Sequence, residues 1–385
     1  MLFRSHSGAS VAQTVDLNLT VTQSTGKIGA SNFKIVDTGS ALTDCFKWNK
    51  WRGTIVGATF DGGTVTVVTF GAPENFVFSG AKVTKNSAGG SGLVIGNSTN
   101  GGMISGIDAR TATTSIPMLY FSGAMSGINV EGFKTNGTIS ATAPTTMSGC
   151  NLRGITLTTT DNNIDLNTLT SFSGGVIDGV DCQGSLIIKG NNNRVRNVDL
   201  TLTGAYDGIT ITGDDNWVIN VGARNSTGRV VRLAGNRNLA DGIVCSYMSN
   251  TVRIDSGTAN QVGHITKINS ASGDIEDAGT SSVIPFKAVT GLTGSTTVSA
   301  PHNPTSRTTF KFSALAGATT LTNITGATVG DEVTLVNEDA ANTVTMTRSN
   351  AVLAGGANCV LGQYDTLRMV FNDSLWHEIS RSANS

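Results

Sequence analysis

Residues Gly190-Asn191-Asn192-Asn193-Arg194-Val195-Arg196-Asn197-Val198 can be laid over two later stretches. These are Gly213-Asp214-Asp215-Asn216-Trp217-Val218-Ile219-Asn220-Val221 and Gly235-Asn236-Arg237-Asn238-Leu239-Ala240-Asp241-Gly242-Ile243. Each opens on a Gly-led polar turn and places an Asn three residues after that Gly. Each closes on an apolar residue, a variable residue, Gly or Asn, and another apolar residue. The closing unit extends in both directions. Upstream it reads Phe78-Ser79-Gly80-Ala81, Ile104-Ser105-Gly106-Ile107, Val130-Glu131-Gly132-Phe133, Leu152-Arg153-Gly154-Ile155 and Ile177-Asp178-Gly179-Val180, beginning at Val56-Gly57-Ala58. Downstream it reads Val262-Gly263-His264-Ile265. Successive anchors stand 23, 26, 26, 22, 25, 18, 23, 22 and 22 residues apart.

A period of this length built from short strands predicts one turn of a parallel β-solenoid. The anchor has a mechanical role. The chain must bend between two strands of a coil, and Gly and Asn tolerate the left-handed backbone a bend requires. The flanking apolar residues then point inward. Asn193, Asn216, Asn238 and Asn260 each precede an anchor by four residues and should stack as an amide ladder. A propeller blade would need about 40–45 residues, and a plain sandwich would not hold such a period.

Composition agrees with an all-β chain. Of 385 residues, 47 are Gly and only 14% are charged, while 38% are hydrophobic, enough to bury a core. Short alternating runs such as Thr64-Val65-Thr66-Val67-Val68 and Ile209-Thr210-Ile211-Thr212 read as strands. The net charge is −1 and no basic run occurs, which argues against a nucleic-acid partner. No apolar run approaches the roughly 18 residues of a spanning helix, so membrane insertion is not expected. Five cysteines, far apart, suggest neither a disulfide framework nor zinc. With scattered histidines, no metal or cofactor is expected. The opening Met1-Leu2-Phe3-Arg4-Ser5-His6 has no leader pattern, which predicts folding in a cytosol.

The expected organisation is an N-terminal cap or attachment segment over 1–50, a right-handed parallel β-helix of about ten coils over 51–267, and a linker over 268–285. Strands at about ten-residue spacing over 286–385 predict a C-terminal antiparallel β-sandwich, for trimerisation or glycan binding. Phe46, Trp48 and Trp51 are candidates to cap the open end of the solenoid.

A β-helix followed by a small sandwich resembles bacteriophage tailspike and tail-fibre receptor-binding proteins. Gly330-Asp331-Glu332-Val333-Thr334-Leu335, Thr343-Val344-Thr345-Met346 and the ending Asp373-Ser374-Leu375-Trp376-His377-Glu378-Ile379-Ser380-Arg381-Ser382 look like the terminal sandwich of such proteins. The resemblance covers about 50–385. It implies a homotrimer in the virion tail, made in the host cytoplasm and joined to other phage tail proteins. It also implies binding, and often cleavage, of a bacterial surface polysaccharide: capsule, O-antigen or exopolysaccharide. The virion-attachment domain of many tailspikes is not evident in 1–50. Two alternatives stay open: a non-enzymatic fibre tip, and a bacterial polysaccharide lyase or adhesin.

Candidate chemistry follows from the coil columns. Glu131, Arg153, Asp178 and Arg196 precede successive anchors and should form an outward charge ladder. Asp181 and Asp199 each lie two residues past an anchor, so they should sit side by side on neighbouring coils, about 5 Å apart. Retaining glycosidases hold their carboxyls ~5–5.5 Å apart, which makes Asp181 and Asp199 the catalytic candidates, with Asp178 close by. Trp217 takes the place of Arg194 one coil on. Beside Arg194, Arg224 and Arg232 it suggests a surface for an acidic polysaccharide, and Arg196, Tyr206 and Asp207 are further binding candidates. Asp214 and Asp215 occupy the turn held by Asn191 and Asn192 a coil earlier, which points to turn chemistry.

Overall fold

The computed structural model describes residues 28–383 except 32–33, 37–43, 49–51, 63–64, 72, 86–88, 97–98, 112–114, 143–145, 159–163, 168, 170, 269–274, 278–285, 290 and 300–306. The described residues form strands and turns, with a single short 3-10 turn at Ala354–Gly356. They fall into two compact units. The first comprises 1–212 with 220–225, and the second 213–219 with 226–385. The Trp51 candidate cap lies outside the described residues.

The first unit is a parallel β-solenoid. One face is a ladder of in-register parallel strands: Ile28–Ser31, Gly53–Val56, Glu74–Ser79, Thr99–Thr111, Met125–Thr135, Asn151–Leu157, Val176–Cys182 and Arg194–Thr201. Further ladders run beside it, such as Ser91–Ile95, Pro117–Phe121, Thr138–Ala141, Ile164–Leu166, Leu186–Lys189 and Ile209–Thr212. Ile28–Ser31, Lys34–Val36 and Asp44–Trp48, all within the stretch expected as a cap, pair as rungs of the same solenoid.

Anchor geometry follows the periodicity. Nine anchors, Gly57, Gly80, Gly106, Gly132, Gly154, Gly179, Asn197, Asn220 and Gly242, have φ between 54° and 67°. A tenth position, His264, has no positive φ. A second left-handed residue precedes an anchor by five in every coil from Asn75 onward: Asn75, Gly101, Gly127, Gly149, Gly174, Asn192, Asp215, Arg237 and Ala259, with φ of 48–62°. Each coil therefore turns twice within six residues, and the four residues between the turns alternate, as where Asn193 and Val195 are buried while Arg194 and Arg196 are exposed.

Core composition changes along the first unit. Phe46 stacks on Phe60, Phe60 on Phe78, and Phe70 contacts both Phe76 and Phe78, with centroids 5.0–5.8 Å apart. Gly102 makes room for one of these rings, because a Cβ there would lie 2.2 Å from Phe76. In later coils the Phe78 column passes to Ile104, Val130, Leu152 and Ile177, while Phe121, Phe133 and Phe172 keep single buried rings in other columns.

The second unit continues coil pairing. Leu239–Ser256 pairs in parallel with Gln261–Val262, Ile265–Ile268 and Ile275–Asp277. Of the four residues expected to stack, Asn216, Asn238 and Asn260 are fully buried and bonded in series, while Asn193, in the first unit, accepts the Gly175 N–H at 3.0 Å and donates to the Phe172 carbonyl at 2.6 Å. The Asn238 side-chain oxygen accepts the Asn216 N–H at 2.9 Å, and that of Asn260 accepts the Asn238 N–H at 3.0 Å.

Beyond residue 286 two sheets share one core. One contains Phe286–Val289, Arg307–Phe312, Glu332–Asn337, Thr366–Asn372, Leu375–Ser382 and Ala351–Val352, and the other Gly294–Ser299, Thr319–Thr325, Val344–Met346 and Cys359–Leu361. Phe310, Phe312, Leu321, Leu335, Met346, Leu367 and Trp376, drawn from both sheets, belong to one buried cluster. The buried Trp376 indole donates to the Ile324 carbonyl at 2.9 Å. The pairing corrects the antiparallel expectation. Phe286–Val289, Arg307–Phe312 and Glu332–Asn337 are mutually parallel, as are Gly294–Ser299, Thr319–Thr325 and Val344–Met346. The antiparallel pairs join Glu332–Asn337 to Thr366–Asn372, Val344–Met346 to Cys359–Leu361, and Thr366–Asn372 to Leu375–Ser382. The connections explain this. After Phe312 and Asn337 the chain crosses to the other sheet instead of folding back, so each strand returns parallel 25 residues later.

Candidate functional site

Outward positions on the first unit's ladder carry the candidate chemistry, because inward positions are packed and the pleat alternates between the two. Asp178 pairs in register with Arg196, and Asp181 with Asp199. The expected carboxylate neighbours are thus adjacent rungs of one face, and both are exposed.

Their surroundings differ. Asp199 accepts from the Arg224 guanidinium at 3.3 Å, and the Arg224 Nε donates to the Thr201 hydroxyl at 2.9 Å. Arg224 thus spans Asp199 and Thr201, the outward side chains that follow the Asn197 bend on that strand. Asp181 forms no ion pair or side-chain hydrogen bond among the described residues. Burial pushes the adjacent Cys182 thiol up to about 12, with the Asp181 charge adding to the effect, so that thiol is no nucleophile near neutral pH.

Asp178 stands across the bend. One of its oxygens accepts the Arg196 fork at 2.9–3.0 Å, and the other accepts the Asn197 amide at 2.8 Å. The Asn197 carbonyl then accepts the Asn220 amide at 2.7 Å. This chain exists because two successive anchors are Asn, whereas every earlier anchor in the unit is Gly. The charge ladder is partial. Glu131 pairs in register with Arg153, and Arg153 with Asp178, yet no ion pair joins either couple.

Arg194, exposed, opens the strand that carries Arg196 and Asp199. Tyr206, 57% exposed, and the half-buried Asp207 lie on the connection from that strand to Ile209–Thr212, after the chain has left the Asp199 face. Trp217, 45% exposed, belongs to the second unit. There the Asp214 side chain accepts the Asn236 backbone N–H at 2.8 Å and Asp215 is held by both arms of Arg237 at 2.7 Å. These two aspartates therefore link neighbouring turns, as their position suggested. From sequence, Arg224 belonged only to a basic surface beside Trp217, Asn197 and Asn220 were anchors with no role at the site, and Thr201 was not singled out. Their one legible signal is the Asn replacing Gly at two consecutive anchors.

Among the described residues no group of three His, Cys, Asp or Glu side chains is placed to hold a metal ion, and no helix is long and apolar enough to cross a membrane. No protein-family model, curated protein or solved structure matches the chain.

Proposed function

We propose that the chain is a receptor-binding protein of the tailspike or tail-fibre type that binds a bacterial surface polysaccharide along the exposed solenoid face and hydrolyses it. The observation that carries this is the in-register pair Asp181 and Asp199 on adjacent rungs. Strand spacing of about 4.8 Å puts two such carboxyls in the range used by retaining glycosidases. Asp181, free of ion pairs, is the acid that protonates the leaving glycosidic oxygen. Asp199, steadied by Arg224, attacks the anomeric carbon. Water then hydrolyses the glycosyl ester, with Asp181 now taking its proton. Asp178, Arg196, Asn197 and Asn220 supply planar charged and amide groups beside the pair for sugar hydroxyls.

The proposal includes a right-handed coil, a C-terminal sandwich, assembly as a homotrimer and attachment to other phage tail proteins. A solenoid gains from such assembly, because side-by-side packing covers its exposed faces and ends. A binding-only fibre tip is the second reading. It is favoured by the Asp199–Arg224 ion pair, which already engages one carboxylate on an open face with both partners at least half exposed.

The deciding test replaces both Asp181 and Asp199 by Asn and follows polysaccharide chain length and binding. Lost cleavage with retained binding supports the hydrolase. Binding without cleavage by the unaltered protein supports the fibre tip. Cleavage that persists in the double variant removes the pair from the mechanism.

A further inference from the structure

Two exposed cations on the first unit's ladder, Arg153 and Lys134, stand beside carboxylates yet pair with none of them. Arg153 lies in register with Glu131 on one side and with half-buried Asp178 on the other. Asp178 is its natural partner, but both Asp178 oxygens are engaged from the far side. The Arg196 fork donates to Oδ2 at 2.9–3.0 Å, and the Asn197 amide donates to Oδ1 at 2.8 Å. Asn197 supplies that amide because it stands at an anchor, and every earlier anchor in the unit is Gly, which has no side chain to offer. Lys134 is left over for a parallel reason: its register neighbour Asp108 is held by Arg110 at 2.6 Å. Among the described residues neither the Arg153 nor the Lys134 side chain forms a hydrogen bond or ion pair.

Both cations border the aspartate pair. Thr156, on the Arg153 strand, is in register with Lys134 on one side and Asp181 on the other. Lys134 and Asp181 are therefore two rungs apart in one column, ~10 Å at the usual strand spacing, on the side away from Asp199. A guanidinium is a rigid planar fork of donors whose match is a planar carboxylate, and an ammonium nearby adds a point charge. Exposed Glu131 opposes such a ligand, which gives the site a variant of opposite sign.

We propose that Arg153, with Lys134, selects a glycan carrying a carboxylate, a uronate, on the sugar next to the cleaved bond. Asn197 is a positioning residue that keeps Arg153 available by engaging Asp178. This rests on the reading of the solenoid face as the glycan-binding surface and names the class of glycan that face takes.

The test uses full-length protein carrying Asp181→Asn and Asp199→Asn, so that the ligand stays intact, and reads binding by calorimetry. The probes are oligomers of galacturonate, of mannuronate and of hyaluronate, each beside its carboxyl-reduced form. At least one acidic oligomer should bind about 10-fold more tightly than its reduced form, the scale of one hydrogen-bonded charge pair. Arg153→Gln should abolish that preference and leave the affinity for the reduced form unchanged. Glu131→Gln should tighten the acidic form. Asn197→Gly, which restores the residue type of the earlier anchors, should weaken it, because Asp178 can then turn to Arg153. The proposal is overturned if no acidic oligomer is preferred to its reduced form, or if the preference survives Arg153→Gln. A preference that survives Asn197→Gly overturns the positioning role. Because binding is read without cleavage, these failures would leave the hydrolase reading intact, and absence of cleavage by the unaltered protein would leave this proposal standing.

Discussion

The side-chain oxygen of Asn260 accepts the backbone N–H of Asn238, one coil earlier, at 3.0 Å, with both residues fully shielded from water. The Asn260 amide also donates to the Gly235 carbonyl at 2.9 Å. One side chain thus satisfies two backbone groups that the double turn leaves outside the strand ladders. Removing it strands them in a dry interior, where each lost partner costs about 1–3 kcal/mol. Asn238→Ala, which removes the middle amide, should lower equilibrium stability in urea by about 2–4 kcal/mol. A loss below ~0.5 kcal/mol would show that the ladder is not a major support of the coil.

Two glycines should respond differently to Ala. At Gly132, φ is 62° and an added Cβ would meet Gly106 at an ordinary 3.6 Å, so the cost is backbone strain alone, about 1 kcal/mol. At Gly102 the Cβ would lie 2.2 Å from the Phe76 ring, so the cost is overpacking, about 1–3 kcal/mol. Phe76→Leu should therefore rescue Gly102→Ala and not Gly132→Ala, as measured by a double-mutant cycle in urea.

Acid should weaken the second unit. Arg237 bonded to Asp215 holds that carboxyl below its ordinary value, and Arg381 does the same for Glu378. Three backbone N–H donors, from Leu315, Ala341 and Asn342, lower Asp339. A lowered folded-state value means stability that is fully present above the unfolded-state pKa, about 4 for carboxylates. That stability is lost as pH falls through the folded values. Urea midpoints should hold from pH 7 to about 5 and drop below about 4. Asp339→Asn should flatten that drop, and an unchanged profile would contradict the assignment.

Arg224 donates one hydrogen bond to Asp199 and another to Thr201. Arg224→Lys keeps the charge but loses the fork that spans Asp199 and Thr201. Cleavage should fall by about 10- to 100-fold, the usual cost of a misplaced catalytic group. Substrate binding should change little, and full activity in this variant would separate Arg224 from the reaction.

The solenoid was legible because its anchors keep one residue type, Gly or Asn, at a fixed place between apolar neighbours. The second left-handed column was not. Its members are Asn, Gly, Asp, Arg and Ala, so the backbone conformation repeats while the letters do not. The parallel pairing beyond residue 286 was missed for a related reason. The crossovers after Phe312 and Asn337 are short loops without an anchor, and they read like ordinary hairpin turns. In the candidate site, the Asp181–Asp199 neighbourhood followed from counting two residues past each anchor. Arg224 lies 25 residues from its partner, four past its own anchor, where neighbouring coils carry Thr201 and Gln183. A clamp between two different columns has no periodic signature.

The central claim is hydrolysis of a bacterial surface polysaccharide by the Asp181–Asp199 pair. The most direct measurement incubates purified protein with a panel of capsular, O-antigen and exopolysaccharides, and follows chain length, new reducing ends and the ultraviolet absorbance of unsaturated uronates. The account predicts shortened chains and new reducing ends without that absorbance, all lost in the Asp181→Asn, Asp199→Asn double variant. Shortening accompanied by the absorbance, or shortening that survives in the double variant, would contradict it.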